Sequence, residues 1–251
     1  MPDLRKVKDY FKDWNVWDYC WTIIASVVGT WIGLQWGEGG WKTWLSVITM
    51  LSGLWCVILV AKGRILNYYI GIVNCIGYAY IAYGYQLYGE VMLNAIYFLP
   101  MQFVGLYVWS KHKDVKIMDK VQTTVMAPSI RITWIGVSIM AVLVYGFILQ
   151  AMGDPVPFLD STSTILSIVA CILMTWRYVE QWILWIVVDI VSVWMWVLVV
   201  LEKGTNDIAL LVMWIAFLIN AIYGFISWLK MFTEQDVEKH GYAKIGGENH
   251  V

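Results

Sequence analysis

Charge is scarce in this 251-residue chain: Lys, Arg, Asp and Glu make up 14% of it, against about 25% in an ordinary soluble domain. Histidine and cysteine are scarcer still, with three and four copies. His112, His240 and His250 lie in a loop and the tail. Cys20, Cys56, Cys75 and Cys171 all fall inside hydrophobic segments, far apart, and read as small apolar fillers rather than a metal or redox motif. No metal site and no cofactor are expected. A glycine-rich phosphate loop with its Lys-Ser/Thr pair is also missing, as is a soluble segment large enough to hydrolyse a nucleotide, so no energy module of a pump is expected. The polar start, Met1 to Asp18, has no small-residue cleavage site behind an early apolar core, which argues against a cleaved signal peptide. A formal net charge of −1 gives no reason to expect a nucleic-acid partner.

What is abundant is apolar surface. Sixty per cent of the residues are hydrophobic and the mean hydropathy is +0.65. Eight stretches pass the length test for a spanning helix: 19–36, 43–61, 65–88, 91–110, 132–152, 158–176, 181–201 and 208–229. The expected fold class is an all-α integral membrane protein. Lys and Arg sort by loop. With the N-terminus inside, fifteen fall on the cytoplasmic side and only Lys42 and Lys203 outside, so both termini are expected in the cytoplasm. In this reading the basic residues are a topology signal and not a binding patch.

Within the seventh stretch, Gln181 to Leu201, sits Asp189, the only formal charge well inside a hydrophobic segment. A carboxylate at that depth costs about 2.5–3.5 kcal/mol on insertion scales. With no Lys or Arg at membrane depth to pair with it, function explains Asp189 better than structure. Trp182 and Trp185 precede it by seven and four residues, so all three share one helical face. Two indoles beside one acceptor suit a flat, polar, cationic ring. Trp182 also fits an interfacial aromatic belt, as Trp14, Trp17, Trp36, Trp41, Trp44, Trp109 and Trp228 do at other segment ends.

A shift of 115 residues lays Lys62 on Arg177, Asn67 on Trp182, Asn74 on Asp189 and Gly89 on Gly204; a shift of 119 lays Gly105 on Gly224 and Trp109 on Trp228. Two three-helix units joined by a linker helix follow from this. The expected division is 1–40 (N-terminal stretch and an extra helix), 41–110 (first unit), 111–157 (loop and linker helix), 158–230 (second unit) and 231–251 (tail). Parallel repeats of this kind place a substrate near the bilayer midplane, where the two units face each other. Asn67, Asn74, Tyr78, Asn94, Gln102, Asn220 and Tyr223 are the polar side chains that fit that place, of which Asn74, Asn94, Gln102, Asn220 and Tyr223 are expected to bind, with Pro100 two residues before Gln102. Asn94 and Asn220 serve equally well as interhelical hydrogen-bonding groups, and Pro100 as a kink.

The pattern Glu180-x-Trp182-x-x-Trp185-x-x-x-Asp189, with Asn74 and Pro100-x-Gln102-x-x-Gly105-x-x-x-Trp109, resembles the PnuC vitamin transporters from about residue 41 to 230. The resemblance implies a bacterial inner-membrane homotrimer of SWEET-like 3+1+3 layout that carries nicotinamide riboside by facilitated diffusion, with trapping by phosphorylation inside the cell. In that setting Trp182 and Trp185 would stack on the pyridinium. Asp189 would offset its charge or bind ribose, and Gln102 and Asn74 would pair with the carboxamide or ribose. Many relatives carry Asn at the position of Asp189, and the helix at 19–36 is an addition to the seven-helix core. Thiamine, riboflavin or a sugar remain alternative substrates. A membrane-embedded enzyme lacks a second carboxylate or nucleophile near Asp189, and a ligand-gated channel is the remaining class.

Overall fold

The computed structural model describes residues 10–35, 40–84, 91–114, 119–203 and 208–247. Arg5, Lys6, Lys8, Trp36, the 85–88 end of the third stretch, Gly89, Lys116, Gly204, His250 and Val251 lie outside them, with the readings that rest on those residues. Among the described residues the chain is helical. We label the helices α1 (Val16–Gln35), α2 (Gly40–Ala61), α3 (Leu66–Gly84), α4 (Leu99–Lys111, entered through a π-helical turn Leu93–Phe98), α5 (Pro128–Ala151), α6 (Pro157–Thr175), α7 (Gln181–Lys203) and α8 (Ile208–Gly247). Each of the eight apolar stretches falls on one of these. Gly40–Ala61, Pro128–Ala151, Pro157–Thr175 and the Met213–Val237 part of α8 are long and apolar enough to cross a membrane; α7 contributes a shorter apolar run, Gln181–Met195. This is a multi-pass membrane protein.

Prolines punctuate the helices. Pro128 and Pro157 open α5 and α6, where a missing N–H costs nothing. Pro100 sits mid-segment, and the helix answers by widening: the Leu99 N–H bonds to Asn94 O, five residues back, so the π turn absorbs the proline as α4 begins.

The chain forms two compact units, Met1–Val121 and Gln122–Val251. In the first, α1 packs on α2, α2 on α3 and α3 on α4; in the second, α5 packs on α6, α6 on α7 and α7 on α8. The helix at 16–35, expected outside the first three-helix unit, is thus part of that unit's packing, as α5 is of the second's.

Local geometry recurs with a different offset from the one read in the sequence. The second helix of each unit ends in a Schellman turn. In unit 1 the Gly63 N–H bonds to Val60 O and the Arg64 N–H to Leu59 O; in unit 2 the Arg177 N–H bonds to Met174 O and the Tyr178 N–H to Leu173 O. Gly63 (φ 63°) and Arg177 (φ 67°) hold the left-handed position. The true offset here is therefore 114, not 115. Matching Lys62 to Arg177 by charge slipped the register by one, because the backbone requirement is for a left-handed residue and not for a cation. Tyr68 is the counterpart of Trp182, and Cys75, not Asn74, that of Asp189.

The contacts of these residues agree. The Tyr68 ring meets Trp109 edge-on at 5.0 Å, and a Cβ added at Gly105 would overlap it. In unit 2 the Trp182 ring meets Trp228 edge-on at 6.0 Å, and a Cβ added at Gly224 would overlap it. Both glycines are there because an aromatic ring lies flat on the helix backbone.

Unit 1 also uses residues read as topology signals. Lys62, Arg64 and Lys120 are buried, not offered to lipid. Arg64 and Lys120 share the carboxylate of Asp13, and Lys62 pairs with Asp18 at 2.8 Å. Burial works against charge on Asp13, but Lys120, Arg64 and Lys62 outweigh it and hold its carboxyl below the ordinary carboxylate range. Its pairing therefore stabilises the fold above the unfolded value, near 4, and is lost only as pH falls through the lowered one.

Candidate functional site

Helix α7 carries three of the side chains expected to bind, Trp182, Trp185 and Asp189. It starts where the turn after α6 closes: the Gln181, Trp182 and Ile183 N–H groups bond to the carbonyls of Tyr178, Val179 and Glu180. From that start Trp182, Trp185 and Asp189 follow on one face, but their surroundings differ. Trp182 is 3% exposed, its ring spent on Gly224 and Trp228 of α8. The open stacking platform expected there is instead a packing group that seats α8. Trp185, one turn deeper, is half-buried and has no ring partner among the described residues. Asp189 is 4% exposed and makes no hydrogen bond or ion pair among the described residues. Trp185 and Asp189, four residues apart, leave an indole and a carboxylate oxygen uncommitted on adjacent turns.

On α8, Asn220 is buried and Tyr223 half-buried, three residues apart and next to Gly224. In unit 1, Asn74 on α3 donates from Nδ2 to Thr49 O of α2 at 2.8 Å, lying on the bare backbone of Gly53. That bond fixes the amide and leaves its Oδ1 free to accept. Gln102 of α4 crosses Gly71 to reach Cys75 of α3, with Nε2 3.9 Å from Sγ. Its Oε1 is buried without a partner among the described residues. Asn94 is buried at the π turn, its carbonyl taken by Leu99. Unit 1 thus brings Asn74 and Gln102 onto α3, and unit 2 sets Trp185 and Asp189 on α7.

Two residues escaped the sequence reading. Tyr68 carried no sign beyond its place one residue after Asn67. Glu180 stood in the quoted motif without a role; its Oε1 accepts from the Met126 N–H (3.0 Å) and from Arg131 Nε (3.2 Å) and a terminal guanidinium nitrogen (2.7 Å). It ties the start of α5 to the start of α7, one residue before Gln181. Glu180→Ala removes charged hydrogen bonds from a mostly buried carboxylate. With Arg131 half in solvent, the expected cost is about 2 kcal/mol, and Glu180→Gln should lose less. Thermal unfolding of the purified protein checks this, with the alanine variant expected about 4–8 °C lower.

Buried amide and carboxylate groups on the helices of a multi-pass membrane protein suit the binding of a polar solute. A family described as nicotinamide mononucleotide transporter matches residues 43–230. The nicotinamide riboside transporter PnuC of Neisseria mucosa is 36% identical over 192 residues, 75% of this chain and 73% of that one. PnuC of Haemophilus influenzae is 30% identical over 231 residues, 90% of this chain and 96% of that one. A solved structure, the crystal structure of the vitamin B3 transporter PnuC, superposes with a TM-score of 0.76 at 31% identity, covering 91% of this chain and 97% of the other. The chain belongs to the nicotinamide mononucleotide transporter family. These relatives are transporters, not enzymes, and they bear out the resemblance to PnuC.

Proposed function

We propose that this protein takes nicotinamide riboside across the bacterial inner membrane by facilitated diffusion, with phosphorylation inside the cell trapping it. The family description names the mononucleotide and the relatives' names the riboside, and the chemistry favours the riboside. A phosphate would need Lys, Arg or a ring of backbone N–H groups; the site residues include no Lys or Arg, and their uncommitted groups are the acceptors Asp189, Asn74 Oδ1 and Gln102 Oε1 with the single indole donor Trp182 Nε1. The observation that carries the reading is the Trp185–Asp189 pair, an aromatic face one turn from an unpaired carboxylate, which suits a pyridinium bearing a ribose. Gln102 and Asn74 take the ribose or carboxamide; Asn94, Asn220 and Tyr223 complete the polar lining. The recurring turns and ring-on-glycine contacts support a SWEET-like repeat.

Proteoliposome uptake of labelled riboside, in competition with the mononucleotide, thiamine and riboflavin, tests the substrate. Riboside should compete best, and the mononucleotide least. Better competition by the mononucleotide would reverse the assignment. Running the same assay with a pH gradient tests coupling: a several-fold drive by protons would replace facilitated diffusion with transport through Asp189. Reporter fusions at Lys120 and Val251 should both read cytoplasmic, and a periplasmic signal from either would remove the eight-span orientation.

A further inference from the structure

The segment before α1 is tied to α2 and to the α2–α3 turn by a cluster of polar and aromatic contacts. Asn15 and Asp18 form a reciprocal helix cap: the Asn15 N–H bonds to Asp18 Oδ2 at 2.8 Å and the Asp18 N–H to Asn15 Oδ1 at 3.0 Å. Trp14 is buried on Leu54, Ile58 and Leu59 of α2. Lys62 reaches from the α2–α3 turn to Asp18 and to the carbonyl of Asp13. Arg64, fully buried, donates to the carbonyl of Tyr10 and the carboxylate of Asp13, and stacks on the Tyr10 ring at 4.5 Å. Lys120 closes the cluster on Asp13 at 3.0 Å.

Unit 2 builds the same contact from different residues. Met126 is buried on Val169 and Leu173 of α6, with Trp134 and Leu184 packed against them. In unit 1 the corresponding places are taken by Trp14, Trp55, Leu59, Trp21 and Ile70. The first ion pair of unit 2 joins Arg131, near the start of α5, to Glu180 at the α6–α7 turn. In unit 1 it joins Asp18, near the start of α1, to Lys62 at the α2–α3 turn. Asp18 and Arg131 stand 113 residues apart, while their turn partners Lys62 and Glu180 stand 118 apart, so each unit ties its helix start to its turn through an ion pair of its own. Both units thus clamp the turn from the start of their first helix, each with its own residues.

We propose that Tyr10–Asp18 is a positioning strap for transport: by clamping the α2–α3 turn it sets the start of α3 and so holds Asn74 and the Cys75–Gln102 contact where the solute is bound. Asp18 and Lys62 are positioning residues that touch no solute themselves. The transport role rests on the riboside reading; the clamp does not.

Asp18→Asn keeps an acceptor for the Asn15 N–H but leaves Lys62 buried opposite a neutral group. Removing the second charge as well, in Asp18→Asn with Lys62→Met, relieves that imbalance, since losing one partner of a buried pair costs far more than losing both. Hydrogen exchange by mass spectrometry on the full chain in nanodiscs reads the clamp without substrate. Asp18→Asn should speed exchange of residues 62–68 about tenfold and leave the 176–182 turn unchanged, and the double variant should recover most of the protection. In proteoliposomes, Asp18→Asn should raise the riboside concentration for half-maximal uptake about fivefold, the size of one weakened hydrogen bond, and the double variant should return within about twofold of wild type. Unchanged exchange at 62–68 would overturn the strap. Faster exchange with unchanged riboside uptake would reduce it to a stability element. A wild type that moves no riboside while the exchange result holds would sink the substrate reading and leave the clamp standing.

Discussion

Trp185→Leu should weaken riboside binding about 30-fold, the equivalent of about 2 kcal/mol for a desolvated cation–π contact, while Trp185→Phe keeps a ring face and loses much less. Trp182→Leu should behave differently, because its ring is already committed to Gly224 and Trp228. Its loss should appear as lower thermal stability, with affinity falling only in proportion. Calorimetry on the purified protein separates the two. Equal affinity losses in both leucine variants would return Trp182 to the binding face. Asp189→Asn belongs to the same experiment. As a pure hydrogen-bond acceptor Asp189 is replaced tolerably by an amide, so uptake should weaken without becoming pH-sensitive. If its charge balances the pyridinium, the asparagine variant should lose the cationic riboside far more than a neutral analogue. We expect the first outcome, since an amide keeps an acceptor oxygen at the same place.

The second large effect concerns the bare backbone under the aromatic rings. Gly224→Ala drives a methyl group into the Trp182 ring, and Gly105→Ala does the same to Tyr68. Overpacking of this kind costs about 1–3 kcal/mol, so each variant should melt several degrees lower. Combining Gly224→Ala with Trp182→Leu should restore part of the loss, because the smaller side chain makes room. A double variant no better than the sum of its parts would mean that the ring does not lie over Gly224 in solution.

Much of this molecule was legible as one-dimensional pattern. Eight apolar stretches became eight helices because a helix in lipid satisfies its own backbone within the segment, so length and hydropathy are sufficient signals. Asp189 announced itself by being alone at depth. Trp185 could be placed on its face by counting residues, and Gly105, Trp109, Gly224 and Trp228 aligned correctly at a shift of 119. The Asn15-x-x-Asp18 cap is a local pattern of the same kind, because both of its hydrogen bonds close within four residues.

Other features depend on partners distant in sequence. The repeat register near α3 and α7 turns on which residue takes a left-handed φ, and Arg177 does so in unit 2 where unit 1 uses Gly63. No composition rule separates 114 from 115 there. Lys62, Arg64 and Lys120 count as topology charges in any tally. Only the folded chain brings Asp13 and Asp18 back across more than forty residues to neutralise them. Trp182 and Trp185 are three residues apart with the same periodicity and chemistry. The sequence by itself determined that both face one side of a membrane helix, because helical geometry is local. That Trp182 packs was decided by α8, whose Gly224 presents a bare backbone to its indole.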